Sequence, residues 1–166
     1  MTSLQDAFSD KDKEEFAKRH LGIGTVIRLH DAIAGKIKRF IIVGESFDKI
    51  SLAAIFINTE INANVFRDKH SQELQILLSK EENDHLDHDS YADCTDFYEK
   101  NKESLIDLIK KDVNIIMGKL CDRSLNEVQA GISSSRKISG SRKKTYGLFF
   151  TPRLGATEIK NEEGNN

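Results

Sequence analysis

No stretch of about 18 apolar residues occurs in this chain, so nothing in it reads as a membrane-spanning helix. Residues 1–12 are polar and acidic and lack the basic start and apolar core of a secretory signal, so the expected setting is cytoplasmic. Cysteine is scarce: Cys94 and Cys121 are the only two, and they have no CxxC spacing. In a reducing compartment such thiols stay reduced and partly buried. A cysteine-based zinc site is not expected, because two distant thiolates would need histidines with a spacing of their own. Charge of one sign is also missing. The 25 Lys and Arg against 27 Asp and Glu leave a formal net charge of −2, so the whole chain is no polyanion binder and only local charge can be. No internal repeat is present. What remains is ordinary globular usage, 38% hydrophobic and 31% charged over 166 residues, enough for one domain with a real core.

Local patterns divide the chain. Ser9 and Asp10 precede a charged stretch through Arg19, and Ser9 as cap with Asp10 and Asp12 near the positive end predicts one short helix, stopped by Gly22 and Gly24. Three apolar runs follow: residues 25–29, 40–43 and 51–58. They read as strands buried on both faces or closing a small barrel. Residues 73–78 predict a fourth strand, and residues 81–99 read as an acidic loop. Leu105, Ile106, Leu108 and Ile109 give a helical stripe. Residues 114–117 form a short apolar piece ended by Gly118. Ser124, with Glu127 three residues on, predicts the start of a second late helix that buries Leu125, Val128 and Ile132. Residues 133–144 are rich in serine, glycine and positive charge, and residues 158–166 read as disordered. The expected fold class is α+β, mainly β: a small antiparallel barrel with an added N-terminal helix and C-terminal helices.

Four pieces in this order resemble the MazF/PemK toxin family of SH3-like barrels: Gly24-Thr25-Val26-Ile27-Arg28-Leu29, Lys38-Arg39-Phe40-Ile41-Ile42-Val43, Ile55-Phe56-Ile57-Asn58-Thr59, and Leu77-Leu78-Ser79 followed by Ser90-Tyr91-Ala92-Asp93-Cys94. Met117-Gly118-Lys119-Leu120 before a helix is similar to the family's ending. The likeness covers residues 22–132 as a barrel domain, with 1–21 a helical extension and 133–166 a basic, partly disordered tail. Phe40 stands where the family has proline, and Asp93 and Thr95 stand where some members place an arginine and an aspartate.

The resemblance implies metal-independent cleavage of single-stranded RNA by a homodimer that a small antitoxin protein neutralises, with no cofactor. In that reading the 2′-hydroxyl attacks the adjacent phosphate, which requires a base, an acid and positive charge on the phosphorane. Arg39 would supply the charge through its planar fork. Thr59 would hydrogen-bond the same phosphate, His30 would shuttle a proton, and Asp93 would serve if burial raised its pKa. Each residue also has a plainer reading: Arg39 as a surface arginine, Thr59 as a strand end, His30 as a solvated loop residue.

Two charged stretches stand apart from those four residues. Glu81, Glu82, Asp84, His85, Asp87, His88 and Asp89 match no closed zinc site and no EF-hand loop; a solvated loop, a metal site or a phosphate mimic are the alternatives, the first favoured. Arg136, Lys137, Arg142, Lys143, Lys144 and Arg153 appear with no acid between residues 132 and 153, and Tyr146, Phe149 and Phe150 lie close by. Together with Lys36 and Lys38 they are the candidate nucleic-acid contacts, since cations give salt-sensitive phosphate affinity and aromatics stack on bases. The alternative for the late stretch is a serine-rich linker with Leu148-Phe149-Phe150 clamped on the barrel. The leading expectation is a toxin-like endoribonuclease; the runner-up is a non-catalytic barrel module that binds nucleic acid or a protein partner.

Overall fold

Apolar residues on both faces of three long strands decide the architecture. The computed structural model of the chain describes residues 7–149. Helix α1 (Asp10–His20) leads to β1 (Thr25–Asp31), β2 (Lys36–Glu45) and β3 (Ser51–Asn58). A short α2 (Lys69–Glu73), β4 (Gln75–Leu78), β5 (Ser90–Asp93) and β6 (Tyr98–Asn101) follow. Then come α3 (Lys102–Lys111), a 3-10 turn at Val113–Ile115, β7 (Ile116–Lys119), α4 (Asp122–Ser134) and α5 (Gly140–Thr145). The strands form one seven-stranded sheet in the order β4-β5-β3-β2-β1-β7, with β6 also pairing β3. Every pairing is antiparallel. The sheet curls into a half-barrel with helices on both sides, which is the α+β class expected from the sequence.

Successive side chains on a strand point to opposite faces, and both faces of the central strands are apolar. Val26, Ile41, Val43, Ala53 and Ile55 pack beneath Val128 and Ile132 of α4. Ile27, Phe40, Ile42, Leu52 and Ala54 pack beneath Ala17 of α1 and Leu105, Ile106 and Ile109 of α3. Each large side chain so buried contributes about 1.5–3 kcal/mol of transfer free energy, which is why the runs lack alternation.

The helix starts show local chemistry at work. Ser9 and Asp12 form a reciprocal capping box, the Asp12 N–H donating to Ser9 Oγ at 3.1 Å and the Ser9 N–H to Asp12 Oδ2 at 3.1 Å. Asn101 caps α3 by accepting from the Ser104 N–H at 2.8 Å. The late helix begins at Asp122 rather than at Ser124, because Cys121 is its cap and Ser124 is already buried in its first turn, donated to by Asn83 Nδ2 at 2.9 Å.

A further expectation changes. The stretch 81–99 is not all loop, for it contains β5 and the start of β6. Acidic residues there conceal two short segments, Ser90-Tyr91-Ala92-Asp93, which alternates and pairs with β3 and β4, and Tyr98-Glu99-Lys100-Asn101, which pairs with β3. Beyond residue 132, α4 runs on to Ser134, and Ile138, Tyr146 and Leu148 of the basic stretch enter the same core as β2 and β3. That core is the clamp read as an alternative at Leu148; Phe149 is exposed. The expectations for Phe150, Arg153 and residues 158–166 lie outside the described residues. Among the described residues no helix is long and apolar enough to cross a membrane.

Candidate functional site

Strand register gathers the first group of expected residues. Arg39 on β2 lies opposite Ile57 on β3, and Phe40 opposite Phe56, so the start of β2 and the end of β3 sit side by side. The chain leaving β3 turns back through residues 59–66 and leaves a groove of about 550 Å³. Lys36, Lys38, Arg39, Phe56, Thr59 and Asp93 are among the residues that line it. The structure therefore brings together three of the four residues proposed for chemistry and two of the proposed phosphate contacts. His30 is not among them. It lies opposite Ile37 on the β1–β2 hairpin, is exposed, and lines a separate hollow with Leu29, Lys100 and Ser104.

Sharing a groove does not mean pointing into it. The Arg39 guanidinium turns toward β5, where Nη2 donates to the buried Ser90 Oγ at 3.4 Å, and Nη1 is buried without a hydrogen-bond partner among the described residues. His85 shares that corner. Burial pushes its imidazole below the ordinary value, Asp84 opposing and Arg39 adding to the fall. Its Nε2 is likewise buried and unpartnered among the described residues. Its ring covers Gly118 so closely that a Cβ there would stand 2.8 Å from His85 Cγ. Thr59, by contrast, is exposed at the mouth of the groove. Asp93 is half-buried, and three donors converge on its Oδ1: Gln75 Nε2 at 2.9 Å, the Thr95 N–H at 3.0 Å and the Thr95 hydroxyl at 2.6 Å. It acts as an acceptor that closes the end of β5.

No family model and no curated protein matches this chain.

The likeness to the MazF/PemK toxins consequently stays a likeness of motif order, and the site has to be judged on its own geometry. The late basic residues are mostly engaged within the fold. Lys143 is buried and donates to the Ser133 carbonyl at 2.8 Å and the Ser135 carbonyl at 2.6 Å. Burial pushes its ammonium below the ordinary lysine value. Arg142 pairs with Asp96 at 2.6 Å, donates to the Phe97 carbonyl at 3.0 Å and lies 4.2 Å over the Phe97 ring. Lys137 pairs with Asp68 at 3.3 Å. Arg136 and Lys144 are exposed, with no ion pair among the described residues.

The acidic stretch is also built into the fold. Glu82 pairs with Arg123 at 3.1 Å, and Asp89 Oδ1 accepts from the Lys80 N–H at 2.8 Å. Buried Asn83 joins this loop to the start of α4, donating to Ser124 Oγ and accepting from the Cys121 N–H at 3.0 Å. Among the described residues no group of three or more His, Cys, Asp and Glu side chains is placed to hold a metal ion.

The sequence reading missed the residues beside the groove that present aromatic surface. Lys38 Nζ stands 4.8 Å above the Phe56 ring, and Tyr98 meets the same ring edge-on at 4.5 Å. Lys100 Nζ stands 4.8 Å above Phe40. The available signal is Tyr98 itself, a strand-forming aromatic next to Phe97, and it is masked by the acidic residues on either side.

Proposed function

We propose that this chain is a binding module for single-stranded RNA, with the phosphate backbone held by Lys36 and Lys38 along the groove between β2, β3 and residues 59–66. The observation that carries this reading is the pairing of two strand-borne lysines, neither in an ion pair among the described residues, with an adjacent aromatic surface. Cations on a strand are fixed relative to one another, and they yield counterion-release affinity without needing a polycationic chain. Thr59 at the mouth offers a hydroxyl to the same backbone.

The endoribonuclease reading keeps one supporting observation: Arg39 and Thr59 line one groove. Of the residues it assigns to proton transfer, His30 lies elsewhere and Asp93 is engaged by Gln75 and Thr95, which leaves Glu60 as the other carboxylate lining the groove beside them. The homodimer and the small antitoxin belong with that reading alone. Incubating the purified chain with single-stranded RNA in EDTA separates the two. Binding that weakens with salt while the RNA stays intact supports the module. Cleavage that disappears in Arg39→Ala would replace it with the enzyme, and no binding at any salt would remove both.

A further inference from the structure

One part of the sheet is left bare by the helices, and its composition differs from the rest. Helices α1 and α3 cover the face carrying Ile27, Phe40, Ile42, Leu52 and Ala54 only over its central part. Alternation and register extend that same face outward. Phe56 lies two residues beyond Ala54 on β3; Tyr98 is opposite Ala54 and Lys100 opposite Leu52 on β6; Tyr91 is opposite Asn58 on β5. On β2, Lys38 and Lys36 continue the series that includes Phe40. Tyr98 is 41% exposed, and Phe56 and Tyr91 are half-buried. A face meant only to meet water has no use for three aromatic rings on neighbouring strands.

We propose that this face is a base-stacking platform: unpaired RNA bases lie on Tyr98, Phe56 and Tyr91, while Lys36, Lys38 and Lys100 take the phosphates alongside. The inference rests on reading the groove as an RNA site and adds what that site recognises, namely unstacked bases rather than duplex shape. Strand-borne rings flanked by cations suit this occupant because every base has a π-face and single strands can splay their bases out. Asp31 and Asp93 are oriented by hydrogen bonds, Asp31 from the Ala34 and Ile33 N–H groups at 3.0 and 2.8 Å and Asp93 from Gln75 and Thr95, and Glu60 is the further acid on the groove, so three lysines face three carboxylates of which two are fixed in place. Lys38 and Lys100 now cover Phe56 and Phe40 themselves; with their flexible stems they can swing to a phosphate and uncover the rings.

The test compares two probes: a fluorescein-labelled single-stranded RNA of about eight nucleotides, within the range one small domain covers, and an abasic strand of the same length. Wild type should bind the base-bearing strand more tightly. Tyr98→Leu should weaken that binding about tenfold, within the usual worth of one stacked base, and leave abasic binding unchanged. Tyr98→Phe should restore it. Because the chain contains no tryptophan, tyrosine emission reports stacking directly, and RNA should quench it less in Tyr98→Phe than in wild type. Phe56→Leu is the companion variant; Phe56 also touches the core, so exposed Tyr98 carries the decision. Equal affinity of Tyr98→Leu and wild type, with Lys36 and Lys38 still required, would overturn the platform and leave the groove reading standing. Failure of wild type to bind either strand would overturn both.

Discussion

Two clusters of positive charge lie in this molecule, and they have opposite fates. Arg136, Lys137, Arg142, Lys143 and Lys144 are dense in sequence, yet three of the five are tied to Asp68, to Asp96 and to main-chain carbonyls. Lys36 and Lys38 are only two residues in a strand, yet they face a groove and an aromatic surface, and although Asp31 stands opposite Lys36 neither lysine forms a salt bridge among the described residues. Counting cations ranks the first cluster higher; discounting those the fold has engaged leaves two in each, Arg136 and Lys144 against Lys36 and Lys38, and only the second pair lines the groove. A cation helps hold a polyanion only if the fold has not already supplied it with a partner.

The contrast is sharpest where the C-terminal segment is fastened. A Cβ added at Gly44 would stand 2.6 Å from the Tyr146 carbonyl oxygen and 2.8 Å from Leu148 Cδ2. Backbone cannot yield as a side-chain tip does, so Gly44→Ala should cost about 3 kcal/mol by overpacking. Thermal denaturation should show the drop, and hydrogen exchange should show residues 146–148 released first. If the segment were a loosely held basic arm, the substitution would be nearly silent.

Lys143 tests the same cluster from its centre. Lys143→Met keeps the apolar stem and removes two charge-assisted hydrogen bonds to the end of α4. A loss of about 2 kcal/mol is expected in chemical denaturation, with RNA affinity of the folded fraction unchanged. The Lys36→Ala/Lys38→Ala double variant should do the reverse. Its stability should match wild type, while RNA affinity falls and the slope of log K against log salt shrinks by about 1.4, as removal of two single-strand phosphate contacts requires. Arg136→Ala/Lys144→Ala should move neither stability nor slope appreciably; if it lowered the slope more than the strand pair did, the ranking of the two clusters would be inverted.

Much of this was legible in the chain and some was not, for physical reasons. The Ser9–Asp12 box, the runs at 25–29, 40–43 and 51–58 and the stripe of α3 are local signals, and each became the expected element. The placement of Arg39 and Thr59 in one groove follows from adjacent strands, which order of motifs already indicated. The direction of the Arg39 guanidinium was not legible, because Ser90 Oγ lies 51 residues away in sequence. Nor was the burial of Lys143: its acceptors are main-chain carbonyls, which leave no mark on residue types. Strands β5 and β6 were masked by their acidic flanks, and with them the aromatic face.

A final and smaller effect makes one tie of the first cluster depend on pH. Hydrogen bonds from the Ser71 hydroxyl at 2.6 Å and the Ser71 N–H at 2.9 Å hold the Asp68 carboxyl well below its ordinary 3.8, with Lys137 adding to the fall. A depressed folded value means that the stabilisation is fully present above the unfolded value and is lost as pH falls through the folded one. Acidification below about 3.8 should therefore progressively loosen the cap of α2 and the tie from Asp68 to Lys137. Amide protection at residues 70–72 and 136–138, taken relative to the unfolded rate at each pH and followed from pH 5 downward, should fall in wild type; Asp68→Asn should be less protected at pH 5 and show less pH dependence. Loss of protection of equal size in both proteins would assign the loosening to other carboxylates, and the fastening of Lys137 would then owe nothing to Asp68.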